Sequence, residues 1–436
     1  MSTLKFDTKT EYGIFKPLNA TNGGPIHKRH VFDQVRSNIK EYESAKIPFS
    51  RNHDSNLCAS YGAPYVHDIS AIFPDFTKDE SDPGNYQFEN TDESILITLD
   101  AGTKTFFRLG QSIEHAIKKI NIHPPKNYLK WAKICEHIIR HYTEGWGNGY
   151  TLDMPYWEIW NEPDLDPDDS TNKRCWTGTK SQFFDFYEVV ARYLKSCFPH
   201  LKIGGPAVAW DEAWTDEFLS EMKKRHVPID FLSWHIYATE PYEVTDKAER
   251  YRNMLDKYGF NKTESILNEW NYVKGWTDDF IYTIESIGGI KGATFMMSVI
   301  SEAQKSSIDM LMYYDTRPSV FNSVFDFYTC HIKKGFYPLK WYGEFYGLEK
   351  EIRCQSDISD IYTLAGVDKD GKATAIITHY SDNDNKKSVK VKIELNDGCE
   401  YDVYLLDKDH DGEFMGTMKK LTFEMPVFTS IMVKQK

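Results

Sequence analysis

Two glutamates carry the strongest chemical signal in the sequence. Glu162 closes the run Tyr156-Trp157-Glu158-Ile159-Trp160-Asn161-Glu162-Pro163, and Glu269 closes Ser265-Ile266-Leu267-Asn268-Glu269-Trp270. Each stands where a short apolar run gives way to a loop. An opposed pair of carboxyl groups suits cleavage of a glycosidic acetal. One, protonated, donates to the leaving oxygen; the other, ionised, attacks the anomeric carbon. A separation of about 5–5.5 Å gives retention through a covalent intermediate, while about 6.5–9.5 Å admits a water and gives inversion. Unequal environments keep the two pKa values apart.

Elements at the right places must hold such a pair together. Short apolar runs at Ile14–Leu18, Ile47–Asn52, Thr105–Leu109, Tyr156–Trp160, Leu201–Gly205, Phe231–Ile236, Ser265–Asn268 and Met310–Tyr314 read as strands buried on both faces. Helical stretches alternate with them. Ser181–Cys197 is the clearest: Phe183, Tyr187, Val190, Ala191 and Leu194 fall at helical spacing, and Thr179 with Gln182 makes a capping box. Others begin near Thr215 and near Thr245. This order predicts an α/β fold with a (β/α)₈ TIM barrel over residues 14–344. Glu162 then ends strand four and Glu269 strand seven, both at the C-terminal mouth where barrel active sites lie. From about 345 the pattern turns to alternation. Val389, Val391, Ile393 and Leu395 face one way and Lys390, Lys392 and Glu394 the other. Residues 345–436 therefore read as a small antiparallel β-sandwich domain, with residues 1–13 available to join it. The stretch Ser55–Thr98 reads as one long irregular loop.

Composition narrows the classes. The 436 residues carry a net charge of −13, and no cluster of Lys and Arg offers a footprint for nucleic acid or an anionic membrane. The longest apolar run, Ala293–Ile300, is far short of the ~20 residues that cross a bilayer. No secretory signal is visible at Met1–Thr10, and seven cysteines without CxxC spacing suit a reducing compartment. A cytoplasmic location is the expectation, and oligomeric state is not readable. No cofactor and no metal are expected. Asp407, Asp409, Asp411 and Gly412 mimic the start of a calcium loop, but its twelfth position is Met418. His137 and His141 lack the Glu of a zinc helix, and no GxSxG elbow occurs. Aromatic residues make up 15% of the chain, which suits sugar faces and ordinary cores alike. Trp160, Trp270 and Trp276 are such cases, core being the default; Trp270, beside Glu269, stands among the candidate substrate contacts.

Trp160-Asn161-Glu162-Pro163 resembles the acid/base signature of the retaining glycosidases built on (β/α)₈ barrels, and Asn268-Glu269-Trp270 resembles their nucleophile segment. With Ser233-Trp234-His235-Ile236-Tyr237 and the β-tail, the chain most resembles glycoside hydrolase family 39, known for β-xylosidases and α-L-iduronidases. The resemblance implies Glu162 as acid/base, Glu269 as nucleophile and Asn161 as partner of the sugar 2-hydroxyl. It implies Arg51 as the cation that keeps Glu269 ionised, and His53, His235 and Tyr237 as neighbours of the substrate and the two acids. His53 is followed by Asp54-Ser55, where the family carries apolar or aromatic residues. A retaining exo-glycosidase of β-xylosidase type is the leading expectation, with a carbohydrate as partner. Iduronidase-like, arabinosidase-like and endo-glycanase activities, or sugar binding without turnover, remain alternatives.

Overall fold

The computed structural model describes residues 2–29, 35–53, 66–355, 358–396 and 398–436. Asp54, Ser55 and Cys58 lie outside the described residues. Parallel strands at Ala20–Asn22, Phe49–Arg51, Lys104–Leu109, Tyr156–Ile159, Lys202–Val208, Phe231–Ala238, Glu264–Tyr272 and Met310–Tyr313 close into a barrel. Each pairs with its neighbours in chain order, and the eighth pairs with the first. The fold is a TIM barrel followed by a separate β domain.

The first strand is a correction to the sequence reading. It lies at Ala20–Asn22, not Ile14–Leu18. Ile14 is 78% exposed, whereas Ala20, Thr21 and Asn22 are fully buried. Pro17 cannot donate to a ladder, and small or polar side chains suit the crowded barrel axis. The stretch expected as one irregular loop is also more ordered. Its described part holds helices at Ile69–Ile72 and Glu89–Asp100 and a 3-10 turn at Pro83–Asn85.

The helices start where capping chemistry puts them. Lys180–Cys197 opens on Thr179, which accepts the amide of Gln182 while Gln182 reaches back to the Thr179 amide. The next two begin earlier than the apolar spacing suggests. Glu212–Lys224 starts after Asp211, whose carboxylate accepts the Trp214 amide at 2.9 Å. Pro241–Lys257 starts on a proline, which needs no amide partner in a first turn.

The lower barrel is plugged by Ala20, Phe106, Tyr156, Phe231, Ile266, Met310 and Met312. Phe106 stacks on Tyr156 with centroids 5.3 Å apart, and Phe231 meets both edge-on. Polar side chains are thus displaced to the upper layer, below the mouth.

The tail forms one nine-stranded sheet that takes in Ser2–Asp7 from the N-terminus. Its pairs are antiparallel except Ser2–Asp7 against Val389–Glu394. Residues from both ends of the sheet share one apolar core, so it folds over itself as a sandwich. Period-2 alternation gives it a second apolar face. Leu364, Ile376 and Met432 join the barrel's core, against the buried helix Ile290–Lys305, which contains the apolar run 293–300. The tail also clips the strand ends that bear the site. Tyr380 Oη donates to the Thr239 carbonyl, and Tyr272 Oη donates to Asp382 at 2.7 Å. Lys291 Nζ donates to the Asp382 carbonyl and to Asp384, both at 2.8 Å. Among the described residues, no helix is long and apolar enough to cross a membrane.

Thr179→Ala removes one side of a reciprocal cap on an otherwise intact helix. The expected loss is about 1 kcal/mol, read as a lower urea midpoint with an unchanged m-value.

Candidate active site

Two local departures from regular strand geometry aim the acidic residues. The fourth strand ends at Ile159. Trp160 and Glu162 then take left-handed backbone, with φ of +72° and +49°, a region costly for residues with a Cβ. The turn is held by Trp160 N to Leu109 O at 2.8 Å and Glu162 N to Ala207 O at 3.0 Å. It sends Trp160 outward against Trp131, Trp176 and Phe186 and leaves Asn161 and Glu162 over the mouth. On the seventh strand, the pairing with the sixth slips between Leu267 and Glu269. Consecutive Asn268 and Glu269 both reach inward as a result. Trp270 then points out and is 1% exposed, against Phe295 and Tyr313. That corrects its sequence assignment: Trp270 is core, not a cavity wall. His235 and Tyr237, two apart on the sixth strand, share one face by simple alternation.

These side chains converge. A carboxylate oxygen of Glu162, one of Glu269 and a ring nitrogen of His235 all lie within 4.8 Å of one another. His235 Nδ1 is 2.8 Å from Glu162 Oε1 and 3.7 Å from Glu269 Oε2. Tyr237 Oη donates to Glu269 Oε1 at 2.6 Å. Arg51, from the second strand, lies beneath. Its Nη1 is 3.5 Å from Glu269 Oε2, and its Nη2 donates to Asn161 Oδ1 at 2.6 Å. A guanidinium only donates, so it fixes that amide with its NH₂ end away from Arg51. Arg51's shortest carboxylate contact is with a residue the sequence reading passed over. Nε donates to Glu158 Oε2 at 2.7 Å, and Glu158 Oε1 accepts from Asn268 Nδ2 at 2.5 Å. Glu158 was hidden in a run read as apolar. The signal was a lone acid inside an otherwise apolar strand.

Burial dominates the electrostatics. It pushes the Glu162 carboxyl up to about 7, against the pull of Arg51 and of hydrogen bonding from Cys175. Glu269 is also raised by burial and by the neighbouring Glu162, with Arg51 and the Tyr237 hydrogen bond opposing. Burial lowers His235 to about 4, so its imidazole is neutral. The pair titrates as a unit. Its shared proton belongs on Glu162, because Glu269 faces the permanent cation and the short Tyr237 bond.

The two glutamates, His235, Tyr237 and His53 line one cavity of about 740 Å³. Trp210 and Trp276, 60% and 55% exposed, also line it. Sequence reasoning missed Trp210, Lys247 and Cys175, which come from loops and a helix face that only tertiary packing brings in. Six sequence candidates therefore form one contact network (Glu162, Glu269, Arg51, Asn161, His235 and Tyr237), and His53 shares their cavity. Two carboxylates and an imidazole could hold a divalent cation; here the Arg51 guanidinium supplies the positive charge beside Glu269. Elsewhere, Asp407 to His410 is a turn closed by its own backbone and side-chain bonds. His141 is spent on Asp92 and the Trp146 carbonyl.

A closed (β/α)₈ barrel with paired carboxyl groups across its C-terminal mouth has the architecture of the barrel glycoside hydrolases. The profile described as "Glycosyl hydrolases family 39" matches residues 27–278, more than half of the chain, and the chain belongs to that family. It is similar to a "Beta-xylosidase" of Caldicellulosiruptor saccharolyticus, 33% identical over 164 residues, which cover 36% of this chain and 32% of that one. A "Beta-xylosidase" of Geobacillus stearothermophilus is 36% identical over 161 residues, 36% of this chain and 29% of that one. The matches thus span about a third of the length of these curated relatives. In fold it resembles a glucosidase from Croceicoccus marinus with a TM-score of 0.80 at 22% identity, covering 100% of this chain and 99% of that one.

Glu158→Leu strands the fully buried Arg51 without its nearest counterion. The expected cost is about 3–5 kcal/mol of stability, measured by denaturant unfolding.

Proposed function

We propose that the chain is a retaining exo-glycosidase of β-xylosidase type. The observation that carries this reading is the closeness of the two carboxyl groups. Glu162 and Glu269 present oxygens within 4.8 Å of each other, a close approach that suits the roughly 5–5.5 Å carboxyl separation of double displacement. Glu269 attacks the anomeric carbon while Glu162 protonates the departing oxygen. As the glycosyl ester forms, Glu269 loses its charge, and Arg51 stays compensated by Glu158. Glu162, now ionised, takes a proton from the water that hydrolyses the ester. The Asn161 amide, its oxygen committed to Arg51, has N–H groups left for a sugar hydroxyl. Exo action is the reading that suits the cavity's size, about 740 Å³, in the range of small-molecule pockets. The β-xylosidase reading is supported by the two named relatives.

A panel of aryl glycosides identifies the sugar. On the best of them, Glu269→Gln is expected to lower kcat at least about 10³-fold. Proton NMR of the first-formed product should show the substrate's own anomeric configuration; the opposite anomer would refute double displacement. The pH profile follows from Glu162. Its pKa is raised, so the acid form persists up to about pH 7 and is lost above it. kcat/KM should therefore fall on the alkaline side with an apparent pKa near 7, and Glu162→Gln should abolish that limb.

A further inference from the structure

The two oxygens of the Glu162 carboxyl meet different neighbours. Oε1 faces His235 Nδ1 at 2.8 Å, and Oε2 faces Cys175 Sγ at 3.7 Å. Cys175 lies in the loop between the fourth strand and its helix and is 4% exposed. That loop is fastened on both sides. The Cys175 carbonyl accepts from Trp160 Nε1 at 2.9 Å, tying it to the turn that bears Glu162. The Arg174 carbonyl accepts the Glu114 amide at 2.9 Å, and the Thr177 amide donates to the Ile122 carbonyl at 3.0 Å. Arg174 is further clamped to Asp166 through Nε and Nη2. A strap so held delivers one thiol to one oxygen, and the two-glutamate mechanism gives that thiol no role.

We propose that Cys175 is a positioning residue for the acid/base: its S–H donates to Oε2 of Glu162, steadies the carboxyl against His235 and favours its ionised form. This rests on the acid/base reading of Glu162 given above. Burial first, and then the nearby acids, push the thiol well up, so it stays a neutral donor. A donor to a carboxylate stabilises the charged state, the state in which Glu162 acts as base. Among the described residues, the other charged and titratable groups facing Glu162 are His235, Tyr237, Glu269, Arg51, Arg174, Asp164, Asp166 and Lys247. Substitution of Cys175 leaves all of them in place.

The test compares pH–rate profiles of the wild type, Cys175→Ala and Cys175→Ser on the best aryl glycoside. Loss of the donor in Cys175→Ala should move the alkaline limb of kcat/KM upward by roughly 0.5 pH unit, the size a weak hydrogen bond commands. It should also lower kcat more than it changes KM. Cys175→Ser restores a donor and should return the limb toward the wild type. An alanine variant whose limb coincides with the wild type overturns the proposal. A second measurement needs neither folding of a Cys175 variant nor turnover: the rate of iodoacetamide labelling at Cys175, followed by peptide mass spectrometry. At pH 8 to 9, where Glu162 is ionised, Glu162→Gln removes the neighbouring negative charge and should raise that rate several-fold; an unchanged rate there overturns the contact. If the wild type turns over no glycoside, the acid/base reading fails, while the labelling comparison still decides the contact.

Discussion

A buried guanidinium with two claims on it organises the barrel mouth. Arg51 is 0% exposed and cannot give up its charge, so its desolvation must be offset by anions and acceptors in place. Glu158 is the standing counterion at 2.7 Å, and Glu269 the looser one at 3.5 Å. Asn161 and Asn22 take further N–H groups. The division has a chemical consequence. On the proposed mechanism Glu269 passes from anion to ester and back, and a cation whose only counterion was that group would be left bare halfway. With Glu158 beneath, the charge on Glu269 can come and go while Arg51 stays satisfied.

The same network explains the geometry around it. Arg51 reaches side chains on the first, fourth and seventh strands, which only a closed barrel brings to one point. Holding Asn161 and Glu162 over that point takes left-handed backbone at two residues with full side chains, and the strain is met by amides bonded to Leu109 and Ala207. Holding Asn268 and Glu269 there takes a slip of register. The tail adds support from outside through Tyr380 and Asp382, at the ends of the sixth and seventh strands. Strained or irregular backbone thus clusters where side chains must be re-aimed, and regular strand lies below, where the aromatic plug only has to fill space.

Much of the architecture was legible because it follows period and composition. Continuous apolar runs announced seven of the barrel strands within a few residues. Thr179 with Gln182 announced a helix start, and Val391 with Ile393 a half-buried strand. The first strand was not legible, because Ala20-Thr21-Asn22 is small and polar, as the barrel axis demands of it. Trp270 misled for a related reason. Its neighbour in sequence faces the cavity, and neighbours on a strand face opposite ways.

The sequence by itself determined which groups could do acid–base work and, through their places at strand ends, that they would share a mouth. Local spacing carries that information, because a strand end is written in a handful of adjacent residues. Only the tertiary structure decided that Arg51 answers first to Glu158, that burial raises Glu162 to about 7, and that Cys175 touches its carboxyl. Those are distances between segments remote in the chain and the low dielectric they create together, and no local pattern of residue types encodes either.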